Sequence, residues 1–200
     1  MFYEPRKRDH GLPHDPFKAI VAPRPIGWIS TVDAEGRPNL APYSFFNAVA
    51  SRPPVVMFSS ESRKDSLRNV EASGEFVCNL ATWDLREAMN ETSAPLPGGE
   101  SEFVRAGLAT EASRLVRPPR VAGIAAALEC RLLRTVPLSD VEGRPMEATV
   151  VFGEVVGIHI DDRFIRDGRF DAAAARAIAR CGYMDYAVVD SLFAMTRPTD

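Results

Sequence analysis

The hydrophobic and polar positions in the first third of the chain predict three β-strands separated by turns. β-branched and aromatic residues dominate at 26–31 and at 55–58, and the second run is typical of a buried strand. A longer run at 39–50 lies between them, after the turn residues Asp, Ala, Glu and Gly at 33–36. Its middle part, 42–47, mixes aromatic rings with side chains that form hydrogen bonds.

A helix is predicted directly after these strands. Ser62 and Asp65 have the spacing of a capping box, so the helix is expected to begin at Arg63. Leu67 and Val70 would then face inward. The predicted sheet therefore leads into the N-terminus of a helix.

The rest of the chain is also rich in predicted strands. Extended segments are expected at 75–80, 108–111, 124–136, 146–160 and 180–189, helical segments at 82–90, 101–105 and 171–180, and a loop at 91–99. The tetrapeptide Glu-Gly-Arg-Pro occurs at 35–38 and 142–145, and we interpret both copies as hairpin turns. Many hairpin-linked strands with few helices predict a mainly β fold, an antiparallel barrel with appended helices. A polar N-terminal arm at 1–18 would precede a single domain at 19–200.

Composition and charge are those of an ordinary globular protein, and they argue against nucleic-acid and membrane partners. The chain has 200 residues, 46% hydrophobic and 26% charged, with a net charge of −3 and no basic block that would bind nucleic acid. The longest uncharged run, 38–51, is too short to span a membrane, and the N-terminus lacks the apolar stretch of a signal peptide. We therefore expect a cytoplasmic protein with neither nucleic-acid nor membrane partners.

The cysteines and histidines do not form a metal-binding pattern. Cys78, Cys130 and Cys181 lie far apart in sequence and are expected to be reduced thiols. His10 and His14 are separated by a glycine and a proline, which oppose the helix that would bring the two imidazoles together. No metal site is predicted.

The start of the predicted helix is the first candidate binding site. A helix N-terminus offers free N–H donors and the positive end of a dipole, and both favour phosphate. Hydroxyls and cations surround this terminus, at Ser60, Ser62, Arg63, Lys64 and Ser66. The alternative is a solvated helix cap with two surface cations, and the local sequence favours neither.

The aromatic run before the helix is the second candidate site. In one continuous strand Tyr43, Phe45 and Asn47 would share one face, and Ser44 and Phe46 would share the other. A heteroaromatic ring needs apolar cover and a few donors to its carbonyls and ring nitrogens, which such a face offers. The simpler alternative is a set of core aromatics with Asn47 in a turn.

Common motifs of catalytic and nucleotide-binding proteins are missing from the sequence. It contains no G-x-G-x-x-G, Walker loop, G-x-S-x-G or H-E-x-x-H segment. This disfavours a Rossmann domain with bound NAD. No residue is assigned a catalytic role.

Several segments together resemble the flavin reductase-like family, whose fold is the FMN-binding split barrel. They are RPIGWIST, N-L-A-P-Y-S-F-F-N, P-P-x-V-x-F-S and R-K-D-S-L-x-N-V, followed by shorter similarities as far as residue 190. The order and spacing of the segments carry the resemblance. It is closest to the branch with flavoredoxin and the reductase components of two-component flavin monooxygenases. Ser66 stands where that family commonly has threonine, and it keeps the hydroxyl.

The resemblance implies a homodimer of split barrels that binds FMN, with FAD as another possible cofactor, near the subunit interface. The ring would lie on 43–47, and the phosphate at the serines and cations of 60–66. Trp28 and Ser30 match flavin neighbours on the preceding strand. His159 and Arg180 match positions near the pocket, where the other subunit would contribute them.

The activity implied by the resemblance is reduction of FMN by NADH or NADPH, with hydride transfer to N5 of the flavin. Reduced flavin, or its electrons, would pass to a monooxygenase or another electron acceptor. Two alternatives remain open: an FMN-holding electron carrier of the flavoredoxin type, and a ligand-binding barrel without enzymatic activity. The sequence does not decide between NADH and NADPH.

Overall fold

A computed structural model describes residues 1–96 and 100–198, and its largest element is an antiparallel sheet of seven strands. The strands along the chain are β1 (Arg24–Pro25), β2 (Gly27–Val32), β3 (Pro38–Tyr43), β4 (Phe46–Ser51), β5 (Pro54–Ser60), β6 (Glu75–Leu80), β7 (Thr110–Glu111), β8 (Arg120–Val121), β9 (Ala126–Ser139), β10 (Pro145–Ile160), β11 (Ile165–Arg166), β12 (Arg169–Phe170), β13 (Ile178–Gly182) and β14 (Asp185–Val188). The large sheet has the spatial order β3-β2-β6-β9-β10-β5-β4. A smaller sheet contains β1, β13 and β14.

The large sheet curls until its two edge strands meet. β3 and β4 lie at opposite edges, yet only Ser44 and Phe45 separate them in the chain. The Ser59 backbone N–H donates to the Phe45 carbonyl at 2.8 Å, which ties β5 to this link. The result is a barrel closed by one bent segment, and the mainly β barrel prediction is confirmed. The prediction of a single strand over 39–50 is wrong, because the chain bends at Ser44 and exchanges β2 for β5 as its partner.

Short helices and turns are appended to the barrel. The helices are α1 (Phe17–Ile20), α2 (Asp65–Ser73), α3 (Arg86–Glu91), α4 (Glu102–Arg105) and α5 (Ala172–Ala175), with 3-10 turns at Trp83–Leu85 and Asp162–Phe164. The helix predicted over 171–180 is too long, because Arg176 adopts a left-handed backbone with φ of 50° and ends α5. Residues 97–99 of the predicted loop at 91–99 lie outside the described residues.

Two apolar cores lie on the two faces of the large sheet. Trp28 and Ile29 are adjacent on β2 but belong to different cores, since side chains alternate between the faces of a strand. The core that contains Ile29 fills the barrel and includes Leu67 and Val70 of α2, which face inward as predicted. The core that contains Trp28 lies between the barrel and the outer elements α3, α4 and β13.

The repeated tetrapeptide forms the same hairpin turn twice, as predicted. Asp33 Oδ1 accepts the backbone N–H of Glu35 at 3.0 Å and that of Arg37 at 2.8 Å. The corresponding bonds to Asp140 Oδ1 measure 3.0 and 2.9 Å. The glycine of each copy has a φ of 80°, in the left-handed region that glycine enters without strain.

The N-terminal arm lies against the body of the protein. Arg6 pairs with Glu142 and lies 3.5 Å from Asp140, both in the β9–β10 turn. At the end of the arm α1 packs on β13, where a Cβ on Gly182 would lie 2.7 Å from Ala19. None of the helices in the described part of the chain is long and apolar enough to cross a bilayer.

Candidate functional site

Three adjoining cavities form one groove beside the bent link between β3 and β4. The Lys64 cavity, of about 480 Å³, and the Arg24 cavity, of about 470 Å³, share Pro42 and Ser93. The Trp83 cavity, of about 390 Å³, shares no residue with the Lys64 cavity. The residues that it shares with the Arg24 cavity are Met89, Asn90, Arg180, Met184 and Tyr186. The Arg24 cavity therefore lies between the other two.

Lys64 carries the charge that is available to an anion in its cavity. Arg68 also lines this cavity, but its guanidinium pairs with Asp65 and donates to the Arg63 carbonyl at 2.6 Å. The Glu102 carboxylate accepts a backbone N–H of β3 at 3.0 Å. Within the described ranges, no carboxylate lies within ion-pairing distance of the Lys64 ammonium. An anion that enters this cavity would therefore meet an unneutralised ammonium group.

The N-terminus of α2 lies beside this cavity, but it begins later than predicted. Lys64 is the N-cap, with an extended backbone, and Asp65 is the first helical residue. No side chain caps this end, so the predicted capping box at Ser62 is wrong. The first N–H groups of a helix have no partner within the helix, and here the first two belong to Asp65 and Ser66, which line the cavity.

The structure brings only part of the predicted phosphate cluster to the groove. Lys64 and Ser66 line the Lys64 cavity. Arg63 turns away, and its guanidinium pairs with a carboxylate of α2 at 2.7 Å. Ser60 is buried and donates to the Ser62 carbonyl at 2.6 Å, so its hydroxyl is engaged within the protein. Ser62 does not line the cavity.

Tyr43, at the end of β3, also lines the Lys64 cavity. Its ring packs in the barrel core with its centroid 4.8 Å from that of Phe58. Its buried hydroxyl has no hydrogen-bond partner among the residues described. Burial raises the pKa of Tyr43. The nearby hydroxyls of Ser66 and Ser60 reduce this rise, although neither forms a hydrogen bond with Tyr43 Oη. An unpaired buried donor at a cavity wall fits a ligand with acceptor atoms.

The aromatic run is divided between the groove and the barrel wall. Ser44 lines the Arg24 cavity. Phe46 packs on Gly27, where a Cβ would lie 2.5 Å from its ring, so only glycine fits there. Asn47 is exposed and accepts the next backbone N–H at 2.9 Å. Phe45 is half-buried on the link itself.

The predicted common face of Tyr43, Phe45 and Asn47 is therefore wrong. Such a face needs a straight strand, and the bend after Tyr43 sends these side chains to different surroundings. The Phe45 ring instead forms cation–π contacts with two side chains. The Lys18 ammonium lies 5.4 Å and the Arg24 guanidinium 5.8 Å from its centroid.

Trp28 and Ser30 do not reach the groove with their side chains, because both are fully buried. The predicted contact of Trp28 and Ser30 with flavin stays a prediction, and Ser30 Oγ, like Tyr43 Oη, is a buried oxygen without a hydrogen-bond partner among the described residues. The Trp28 indole N–H donates to Thr92 Oγ1 at 2.9 Å, and Thr92 donates to the Met89 carbonyl at 2.7 Å. Trp28 thereby fixes the start of the 92–96 segment, which forms one wall of the Lys64 cavity.

The Arg24 cavity is lined by three cations, Lys18, Arg24 and Arg180. Arg24 is buried, and its Nη1 donates to the carbonyls of Lys18 and Val21. Its Nε has no acceptor among the residues described. The Arg180 guanidinium lies 4.5 Å from the centre of the Tyr186 ring. The predicted site residue Arg180 is thus in the groove of its own subunit.

His159 lies in a separate cavity of about 360 Å³ that shares no lining residue with the groove. It pairs with Glu129, which is fully buried and accepts the backbone N–H groups of Arg114 at 2.7 Å and Leu115 at 2.6 Å. Burial pushes the pKa of Glu129 up, but these hydrogen bonds and the imidazole outweigh it and hold the pKa below its usual range. Within one chain, His159 and the groove are distinct.

Sequence reasoning missed one wall of the groove. The 92–96 segment was predicted only as loop, although Thr92 bonds to Trp28 from 64 positions away. Lys18 was assigned to the arm, and the stacked pair of Trp83 and Arg86 was assigned only to a helix. No local pattern marks these residues, because tertiary packing alone brings them to the groove.

Comparison with known proteins agrees with this fold. Residues 21–173 match the family model described as the flavin reductase like domain. Since the match covers most of the chain, the protein belongs to the flavin reductase-like family. The family supports a flavin-related oxidoreductase function.

Individual relatives support the same assignment. An uncharacterized protein of Aquifex aeolicus is 38% identical over 151 residues, which are 73% of this chain and 74% of that protein. The crystal structure of nitrilotriacetate monooxygenase component B from Bacillus cereus has a TM-score of 0.87 and 32% identity, and covers 98% of each chain. Flavoredoxin of Desulfovibrio vulgaris shares the fold, with a TM-score of 0.78, 20% identity, and coverage of 88% of this chain and 91% of that one.

Proposed function

We propose that this protein binds FMN in the groove and catalyses its reduction by NADH or NADPH. The observation that carries the proposal is the order of groups along the groove. An unneutralised lysine at a helix N-terminus lies at one end, and a cavity with three cations follows it. FMN has the matching order, with a phosphate dianion at one end and an acceptor-rich ring at the other.

The groove contains buried hydrogen-bond donors without partners, and FMN fits the groove if its acceptor atoms match their positions. Tyr43 Oη lies at the Lys64 end, and Arg24 Nε lies in the middle. Buried donors are rarely left without partners, so a ligand with acceptors at both places would complete the site. The phosphate oxygens and the ring carbonyls of FMN are such acceptors, and the residues present fit the cofactor.

At the phosphate, this chain would contribute charge and donors. Lys64 supplies an ammonium, and α2 supplies its first N–H groups. Ser66 Oγ accepts from Asn39 Nδ2 at 3.0 Å, which leaves the hydroxyl proton free to donate. The proposal thus keeps Lys64 and Ser66 as phosphate ligands and assigns no such role to Arg63.

At the ring, the chain would hold the flavin in place and stabilise the negative charge that forms on it. FMN, when bound here, would supply the redox chemistry, in which a nicotinamide dinucleotide gives a hydride to N5 of the flavin and leaves oxidised. Negative charge that develops on the ring would be stabilised by the cations that line this cavity, which are Arg24, Arg180 and Lys18; Lys18 also pairs with Glu61 at 3.4 Å. No acid or base side chain is required, so none is assigned. The similarity to a monooxygenase component supports delivery of reduced flavin to a monooxygenase or another acceptor.

Flavin binding and turnover together test this function. We expect purified protein to bind FMN and to speed oxidation of NADH or NADPH in the presence of free FMN, followed as loss of nicotinamide absorbance. Tight FMN binding with little turnover would instead identify an electron carrier of the flavoredoxin type. Protein that binds no FMN would contradict the proposal and favour a barrel for another ligand.

We also propose that the protein is a homodimer through the surface around His159. Three apolar side chains that line the His159 cavity are unusually exposed: Leu115 at 50%, Ile158 at 60% and Ile160 at 40%. Exposed apolar clusters commonly mark protein interfaces. Because His159 lies away from the groove of its own chain, it would reach a flavin only across such an interface.

Replacing Ile158 by aspartate is expected to convert the dimer to a monomer, since the interface would have to bury a charge. Light scattering coupled to size-exclusion chromatography measures this mass directly. The control is Val104→Asp, because Val104 is also exposed but lies on α4, and this variant should remain dimeric. A wild-type protein that is monomeric at micromolar concentrations would refute the assignment of this surface.

A further inference from the structure

The Trp83 cavity at the end of the groove has the chemistry of a nucleotide site. Two aromatic rings form its sides, and arginines lie over both. The guanidinium groups of Arg86 and Arg176 lie 4.1 and 5.3 Å from the centre of the Trp83 ring, and that of Arg180 lies 4.5 Å from the centre of Tyr186. Apolar side chains of Met89, Ile178 and Val188 complete the lining. Proteins commonly bind bases by stacking on aromatic rings and on guanidinium planes.

We propose that this cavity binds the ADP portion of the nicotinamide dinucleotide while its nicotinamide reaches the flavin in the Arg24 cavity. This inference rests on the proposed function, because it assumes that FMN occupies the other two cavities. Arg86 would hold the pyrophosphate, and the aromatic rings would cover the adenine.

The order of the cavities separates this ligand from FAD. The adenylate of FAD is joined to the flavin phosphate, so it would extend from the Lys64 end of the groove. The Trp83 cavity adjoins the Arg24 cavity and shares no residue with the Lys64 cavity. A molecule that occupies it must approach from the ring end, as a dinucleotide does when its nicotinamide stacks on the flavin.

Charge supports the same assignment. The cavity next to the Lys64 end has among its described lining residues one cation, Arg37, and four carboxylates: Asp33, Asp65, Glu100 and Glu102. Such a surface repels an adenylate. The Trp83 cavity has two guanidinium groups and one carboxylate, Glu87, which is 83% exposed and lies 3.4 Å from Arg86. An anionic tail is therefore favoured at the ring end.

A purely structural role for Arg86 is the competing explanation. Arg86 Nη1 donates to the Trp83 carbonyl at 2.9 Å, so the stacked pair also stabilises the start of α3. That role would change the melting temperature when Arg86 is replaced, but it would not change the affinity for a dinucleotide.

The experiment compares wild-type protein with Arg86→Ala and Arg86→Lys in the presence of saturating FMN. Arg86→Ala is expected to raise KM for the preferred dinucleotide about tenfold, as for loss of one stacked or charge-assisted contact, with FMN affinity within about twofold. Arg86→Lys keeps the charge but not the planar stack, so an intermediate KM is expected. Arg105→Ala is the matched control: its side chain is 44% exposed against 40% for Arg86, and it pairs with Glu91 outside the groove.

Inhibition by ADP gives an independent measurement. ADP is expected to compete with the dinucleotide and not with FMN, and Arg86→Ala should weaken this inhibition about tenfold. The inference is overturned if Arg86→Ala leaves both KM and ADP inhibition within about twofold of wild type, or if ADP competes with FMN. If FMN does not bind, or if neither NADH nor NADPH reduces it, the proposed function fails; if FMN binds and is reduced but neither ADP inhibition nor the Arg86→Ala change is seen, only this inference fails.

Discussion

Replacing Lys64 by alanine is expected to weaken FMN binding about tenfold to a hundredfold, the range for loss of one charge-assisted contact to a phosphate. Lys64 is the cation of its cavity that is not neutralised by a carboxylate of the described residues, whereas Arg68 is paired with Asp65. Binding is measured by quenching of flavin fluorescence. Riboflavin, which has the ring without the phosphate, should bind the variant and the wild type equally.

Arg63→Ala is the matched control for Lys64→Ala. The two cations are adjacent in sequence, but Arg63 pairs with Glu71 at 2.7 Å and does not line the cavity. Its replacement should change FMN affinity by less than about twofold, as expected for an exposed ion pair. Equal losses in both variants, or a loss of riboflavin affinity as large as that of FMN, would contradict the phosphate assignment.

Replacing Glu129 by alanine is expected to lower the free energy of unfolding by about 3–5 kcal/mol, the cost of removing one partner from a buried ionic network. The carboxylate accepts two backbone N–H groups, of Arg114 and Leu115, and pairs with His159. All three groups would lose their acceptor. Unfolding in urea, followed by tryptophan fluorescence, measures the loss.

The pH dependence of Glu129 provides the control for this prediction. Its pKa is lowered in the folded state, so its contribution to stability is complete above the pKa of the unfolded chain and disappears as pH falls through the folded pKa. Glu129→Gln should remove this acid-dependent part of stability. Glu147→Ala, an exposed carboxylate on β10, should leave stability within about 0.5 kcal/mol of wild type. A stable Glu129→Ala variant would show that the network is dispensable.

The fold was predictable from the sequence because the pattern of apolar and turn residues matches which side chains are buried and where the chain turns. The alternation of apolar residues along parts of β9 and β10 marks strands with one buried face, and the two Glu-Gly-Arg-Pro turns contain their own hydrogen bonds. The bend at Ser44 was not predictable in this way, since Ser44 and Phe45 are ordinary strand residues. It exists because the barrel has to close, and closure depends on the whole sheet.

The site was predictable to the extent that its residues are neighbours in sequence. Lys64 and Ser66 belong to one short segment, and the structure places both in the groove. Ser60 and Arg63 belong to the same segment, but a carbonyl and a carboxylate of the protein engage them. Partners of this kind cannot be read from composition, and neither can the bond that brings Thr92 to Trp28.

A crystal structure of the protein grown with excess FMN is the most direct test of FMN binding in the groove. We expect the flavin phosphate beside Lys64 and Ser66, with the ring in the Arg24 cavity and acceptors facing Tyr43 Oη and Arg24 Nε. An empty groove at saturating FMN, or a phosphate bound away from the N-terminus of α2, would contradict this expectation.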